Sequence, residues 1–363
     1  MSDKGNPDDG ELTLTVGGQS LTGWTDIEVV RGIEICPSYF IIGMTEKFKE
    51  DSAKIVVKPG DDCTVTIGGD LVLTGYVDRV KIRISRGTHS LIVIGRSKSQ
   101  DAIDCSAEWD TGQIKGSSAL EIAKKLVKPY GITVEGEVDT GPPIPQFNLT
   151  IGDTPFAIIE RIARYRALLV YDKENGNLVL AQAGKDKMGS GLTEGENFQV
   201  GESEYSIDQR FSDYEGFMTA VDVLRDLGDA GNLKAKTTDP NVKRHRLKTI
   251  IAEDGALGLQ QLKPRVDWEA ARRFGRSYVI DITADSWRDK KGKLWSPNAL
   301  VPITSTTLKI PEGTNWLISQ VTFRRNNQDG TVAIVRAMPK EAFLPEPIIL
   351  LPVGVPAELA ATP

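Results

Sequence analysis

At 363 residues the chain exceeds the length at which one hydrophobic core keeps growing, so two or three domains are expected. Its 40% apolar and 26% charged residues exclude a disordered or membrane-embedded class, and 44 basic against 50 acidic residues, a net charge of −6, argue against a nucleic-acid binder, which needs a basic surplus. Cys36, Cys63 and Cys105 are far apart with no Cys-x-x-Cys pair, which excludes a disulfide framework or a cysteine zinc cluster.

Residues 1–10 are polar and read as a flexible N-terminus. They hold no apolar run of the signal-peptide kind, and no stretch reaches the roughly eighteen apolar residues of a membrane helix, so folding in the cytoplasm without membrane anchoring is expected. Residues 11–98 read as all β. TLTVGGQSLTGWTDIEV from Thr13 and TVTIGGDLVLTGYVDRV from Thr64 are near-repeats, each an alternating strand, a Gly-Gly turn and a return strand ending in Thr-Gly-aromatic. Glycine before Trp24 and Tyr76 marks a bulge or bend covered by the ring, the way small barrels turn corners, so a closed or nearly closed β-barrel is expected.

Residues 99–188 read as an α+β domain. Ser118-x-x-Glu121 is a capping box, and Leu120, Ala123, Leu126 and Val127 follow at helical spacing until Pro129 and Gly131 end the helix. Thr154-Pro155 starts another, with Phe156, Ile159, Ile162 and Ala163 as its buried stripe, and Asn175-Gly176 turns a hairpin. Residues 189–342 read as a C-terminal β-rich domain with a long insertion near 221–265 that carries the basic run KAKTTDPNVKRHRLK. A helix capped by Asp267 and carrying Trp268, Ala271 and Phe274 is expected there, and GTNWLISQVTF echoes the opening repeat with Trp316 in the aromatic place. The tail, 343–363, is proline-rich and apolar, and prolines at 345, 347, 352 and 356 forbid a regular helix or central strand. Such a segment either packs on its own domain or docks on a partner, the docking candidates being Phe343, Leu344, Ile348, Ile349, Leu350 and Leu351.

Reactive constellations are not legible. His89 and His245 stand outside any metal-spaced cluster, and the nucleophile elbow, the P-loop and the dinucleotide fingerprint are missing. Glu108 and Asp110 beside Trp109 are the acid pair to weigh for a cell-wall-degrading glycosidase, since two carboxylates suffice for that chemistry. The basic run lacks interleaved aromatics for base stacking, and the six tryptophans read first as core or interface residues. No catalytic, cofactor-binding or metal site is assigned, and no cofactor is expected. A wall-degrading enzyme or a barrel binding single-stranded nucleic acid stays as the alternative.

The ordered phrases LTLTVGGQSLTGWTDIEVVRGIE, LIVIGRSKSQDAIDCS, IAKKLVKPYGITV, TPFAIIERIARYRALLVYDKENGNLVLAQAG, GENFQVGESEYSIDQRFSDYEGF, LWSPNALVPI and VTFRRNNQDGTVAIVRAMPKEAFLPEP resemble the baseplate hub proteins of Mu-like contractile-tailed phages, from about Glu11 to Pro347. The resemblance extends to the hub domains of type VI secretion spikes. It implies an α+β, mainly β chain with two barrel-like domains flanking an α+β domain, assembled as a homotrimeric ring whose pseudo-sixfold face joins a hexameric tail tube to a trimeric central spike. The implied partners are a second and third copy of the chain, the tail tube protein, the central spike protein and other baseplate proteins. The implied place is the virion tail baseplate, assembled in the bacterial host cytoplasm, and the implied role is structural rather than enzymatic. The segment 221–265 and the tail match least well, and no residue-level site carries over.

Overall fold

The computed structural model describes residues 10–46, 57–86, 88–109, 112–141, 143–166, 168–184, 186–219, 232–251, 259–310, 314 and 316–344. The first hundred residues supply seven strands: β1 (Leu12–Val16), β2 (Gln19–Leu21), β3 (Asp26–Gly32), β4 (Tyr39–Glu46), β5 (Asp62–Ile67), β6 (Asp70–Ser85) and β7 (Thr88–Ser97). Both repeated hairpins form, with φ of 55° and 78° at Gly17 and Gly18 and of 55° and 88° at Gly68 and Gly69. Two successive left-handed residues are what a two-residue hairpin turn of matching twist requires. β1 then pairs antiparallel with β5, setting Thr13 opposite Thr66, Leu14 opposite Val65 and Thr15 opposite Thr64. Equivalent positions of the repeat therefore meet about a local twofold at Leu14 and Val65, both fully buried, and the order β2-β1-β5-β6 is the hairpin paired with its own copy.

The next unit holds α1 (Gln100–Asp104), β8 (Gln113–Ser117), α2 (Ala119–Val127), β9 (Val134–Gly136), β10 (Ile144–Asn148), α3 (Pro155–Tyr165), β11 (Leu169–Asp172) and β12 (Leu178–Ala181). Its helices begin where side chains satisfy free backbone donors. Glu121 N donates to Ser118 Oγ at 3.2 Å while Ser118 N donates to Glu121 Oε2 at 2.8 Å, and Ala157 N donates to Thr154 Oγ1 at 3.2 Å ahead of Pro155. Gly131, at φ 65°, ends the turn after α2. Ile122, Leu126, Ile158, Ile159 and Ile162 from the two helices close a core over β8-β10 and β11-β12-β9.

The rest of the chain gives β13 (Asp186–Lys187), β14 (Leu192–Thr193), β15 (Phe198–Tyr205), β16 (Asp213–Thr219), β17 (Asn232–Thr238), β18 (Leu247–Ile251), α4 (Leu259–Arg276), β19 (Tyr278–Ala284), β20 (Ala299–Val301), β21 (Ile303–Thr304), β22 (Trp316–Asn326) and β23 (Gly330–Pro339). One sheet runs β15-β19-β23-β22-β3-β4-β7-β6-β5-β1-β2 and so crosses from the C-terminal strands into the N-terminal ones. The seam is β22 against β3, from Gln320 opposite Gly32 to Arg325 opposite Ile27. Ser319 bulges where β22 changes partner from β20 to β3, and its carbonyl accepts from Ile33 N at 2.9 Å. A single buried cluster, from Leu12 and Leu14 through Phe40 and Val93 to Phe323 and Ala337, lies along the inner face.

The mainly β, α+β character expected from the sequence is present, but the expected pair of barrels is not. Among the described residues no barrel closes. The N-terminal strands would close only by joining β3 to β2, and the edge of β3 that would do so is taken by β22. The basic run Lys234–Lys248 starts on β17, crosses 239–246 and ends on β18, and these two strands flank β16 in a separate three-stranded sheet. One further expectation is corrected. The helix extends back to Leu259, so Asp267 lies within it instead of capping it, and Phe274 is exposed rather than buried. Pro264 removes one helical hydrogen bond, yet Leu262 and Val266 are fully buried over Tyr214, Ala235 and Ile250, and that burial outweighs the lost bond.

Candidate interaction surfaces

The residues weighed for chemistry are dispersed. Glu108 is exposed, Asp110 lies outside the described residues, and Trp109 between them donates its indole N–H to Gln113 O at 3.2 Å beneath the Lys125 ammonium. His89 sits opposite Ile84 on β7, and His245 lies 3.2 Å from Asp213 on the solvent side. The Ser212 hydroxyl, more than His245, holds the Asp213 carboxyl below its ordinary range. Lys236 of the basic run pairs with Glu215 at 2.6 Å, and Arg246 donates to Asp208 O at 2.5 Å, so part of the run is engaged on its own sheet.

The tryptophans are structural. Trp24, Trp287, Trp295 and Trp316 are no more than 3% exposed. Trp287 donates to Arg324 O and Val332 O, Trp295 to Ser286 O and Trp24 to Leu21 O, which satisfies these three indoles inside the fold.

The deepest acid among the described residues is Asp172 at the end of β11. It is 2% exposed, and its carboxylate accepts from Ser38 N at 3.2 Å and Ser38 Oγ at 3.1 Å, just before β4. Burial pushes its pKa up, and the Ser97 hydroxyl and Arg31 oppose that. Burial likewise raises the Cys36 thiol well above its ordinary value, the opposite of what a nucleophilic cysteine needs. Arg31, itself 6% exposed, pairs with Glu174 at 2.7 Å. These contacts join the N-terminal strands to the β11–β12 hairpin and make a structural seam.

A groove of about 320 Å³ lies where three parts of the chain meet, lined by Ile33, Phe156, Leu168, Trp268, Phe343 and Leu344 among others. The expected docking residue Phe343 is buried in the chain's own core against Ile33, Tyr171 and Val179, and Leu344 is half-buried with its carbonyl accepting from Trp268 Nε1 at 2.6 Å. Ile348, Ile349, Leu350 and Leu351 lie outside the described residues.

Two stretches of sheet edge carry surface charge of opposite sign. Beyond Tyr76, where β5 ends its pairing, β6 continues to Ser85 with β7 on one side and no strand on the other among the described residues. Arg79, Lys81 and Arg83 are exposed there, and Ile82 and Ile84 are 68% and 71% exposed. Among the described residues β15 pairs with β19 alone over Val200–Tyr205, and it exposes Val200, Glu202, Glu204 and Tyr205. Glu202 and Glu204 share a hollow of about 320 Å³ with Asp281 and Arg336, which form a bidentate pair at 2.9 Å.

Comparison with known proteins places the chain among tail components. Residues 11–97 match the N-terminal domain model of Mu phage baseplate assembly protein GpP-like proteins, residues 99–182 the second domain of baseplate hub protein gp44-like proteins, and residues 259–346 the fourth domain of Mu phage baseplate assembly protein GpP. The baseplate hub protein gp44 of Escherichia phage Mu is 33% identical over 341 residues, 92% of this chain and 89% of that protein. The 43 kDa tail protein of prophage MuSo2 from Shewanella oneidensis superposes with a TM-score of 0.82 at 32% identity, covering 92% of this chain and 99% of that one. A tail protein from Neisseria meningitidis MC58 shares the fold with a TM-score of 0.76 at 22% identity, over 93% of this chain and 99% of that one. A type VI secretion component of Escherichia coli shares it at 0.57 and 12% identity, over 93% of this chain and 80% of that one.

Proposed function

The chain belongs to the family of Mu-like phage baseplate hub proteins and serves as a structural part of a tail baseplate, and from that premise we propose that it works as a homotrimeric ring between the tail tube and the central spike. The observation that carries this reading is the length of the match, which runs through the N-terminal strands, the α+β unit and the closing strands alike. A ring of three chains that each present two comparable β units offers six similar faces to a sixfold tube and three to a threefold spike. The β units are taken as 11–98 and 189–342, with 99–188 as the α+β unit between them and 1–10 and 343–363 as end segments. Catalysis has no part in the role, in keeping with Trp24, Trp287, Trp295 and Trp316 placed in cores and with Asp172 engaged in a structural seam. Assembly takes place in the host cytoplasm before the baseplate is complete.

Light scattering on the purified chain is expected to give three times the 39.6 kDa of one copy. A mass that stays at one copy up to tens of micromolar contradicts the ring.

The tail beyond Leu344 is proposed to dock on a neighbouring baseplate chain through Ile348, Ile349, Leu350 and Leu351, anchored by Phe343 in its own core. Truncation after Leu344 is expected to leave the thermal midpoint within about 2 °C while weakening incorporation into baseplates. A large fall in that midpoint would mean that the tail packs on its own chain instead.

A further inference from the structure

The last described residue, Leu344, stands inside the groove where three parts of the chain meet. Two helices wall that groove with one stripe each, Phe156, Glu160 and Arg164 from α3 and Trp268, Arg272 and Arg276 from α4, spaced four residues apart and so on one helix face. Leu344 is half-buried with φ −64° and ψ 129°, and its carbonyl accepts from Trp268 Nε1 at 2.6 Å. Those are polyproline II angles, and an aromatic-lined groove is the seat that such segments take.

The sequence beyond Leu344 favours the same backbone. Leu344 and Glu346 each precede a proline, which biases them to extended or polyproline II angles, and Pro345 and Pro347 have φ fixed at about −65°. A polyproline II helix turns once in three residues, so Pro347 would come round to the side of Leu344, facing the groove, with Glu346 at the rim. The rim carries the guanidiniums of Arg164, Arg272 and Arg276 against the carboxylates of Glu34 and Glu160, and one added carboxylate brings it to neutrality. Arg164 pairs with Glu160 at 3.3 Å, Arg276 with Glu34, and Arg272 stacks on Trp268 at 5.4 Å.

We propose that Pro345, Glu346 and Pro347 of the same chain occupy this groove as a short polyproline II rod that continues from Leu344, with Glu346 against the rim arginines. The occupant is the chain's own segment because it begins there: no linker separates it from the groove, and a segment of another chain cannot match that effective concentration. The proposal rests on the tail reading above and supplies its geometry, since a stiff rod sets the direction in which Ile348, Ile349, Leu350 and Leu351 leave toward a neighbouring chain. So short a contact stays within the roughly 2 °C allowed above for loss of the tail.

Cys36 lines the groove and is half-buried, so its thiol reports whether the groove is filled. The test measures, at one pH, the rate at which a maleimide labels Cys36 in native chains carrying Cys105→Ser, the third thiol, Cys63, being 4% exposed. The full chain and a chain ending at Pro347 are expected to react at the same rate, and a chain ending at Leu344 at least about tenfold faster. Full-length Pro345→Gly/Pro347→Gly is expected to approach the rate of the chain ending at Leu344, and Glu346→Arg to fall between the two. Equal rates in all of these chains, or protection that requires residues beyond Pro347, overturn the proposal. Protection that disappears on dilution overturns it as well, and assigns the groove to the tail of another copy. Protection that persists in dilute single copies supports the proposal even where light scattering shows no ring, so the failure of the ring and the failure of this seat are separate results.

Discussion

Gly75→Ala is expected to lower the unfolding free energy by about 3 kcal/mol or more, among the largest effects available to a single methyl group in this chain. A Cβ on Gly75 would lie 1.9 Å from Arg96 O and 2.7 Å from Ser97 Cα, both backbone atoms of the neighbouring strand β7. A flexible side chain could move aside, but a paired backbone cannot shift without breaking the ladder that continues from Gly75 opposite Ser97 to Ser85 opposite Thr88. Gly43→Ala in β4 is the control. Its added Cβ would meet nothing closer than 3.5 Å, and its unfolding free energy from urea denaturation is expected to stay within about 1 kcal/mol of the parent. Equal midpoints for the two variants would mean that the β6–β7 approach is not as close as described.

Arg210→Ala is expected to cost about 3–5 kcal/mol, the range for stripping one partner from a buried ion pair. Arg210 is 1% exposed, and its Nε and Nη2 donate to Asp239 at 2.8 and 2.9 Å while Nη1 donates to the Tyr205 hydroxyl at 2.5 Å. The arginine ties the segment after β15 to the end of β17, and its loss leaves the Asp239 carboxylate desolvated without a counterion. Replacing both partners, Arg210→Met with Asp239→Leu, is expected to recover at least half of the loss, because apolar side chains need no counterion. A single variant that loses less than about 1 kcal/mol in chemical denaturation would show that the pair is not buried as described.

Local features of this fold were legible in the sequence because their determinants lie within a few residues. Gly17-Gly18 and Gly68-Gly69 fix turns by backbone geometry, the Ser118/Glu121 box and Thr154-Pro155 fix helix starts by local side-chain caps, and each appears where it was read. The pairing of β3 with β22 was not legible, since it joins residues nearly three hundred positions apart and depends on a bulge at Ser319 that has no signature of its own. The error over α4 has a comparable origin. Asp267 offers a capping side chain, and only the burial of Leu262 and Val266 against a sheet placed by tertiary contacts carries the helix back past it and past Pro264. The surfaces are a mixed case. Arg79, Lys81 and Arg83 alternate visibly with Ile82 and Ile84, as do Glu202 and Glu204 within VGESEY, but alternation does not reveal which strands end a sheet.

The central claim is that copies of the chain close into a ring. The symmetry of purified particles, seen in electron-microscope class averages, tests this most directly. Threefold rings built from three copies are the predicted result. Isolated single copies, or a twofold pair joined through identical edges, would contradict it.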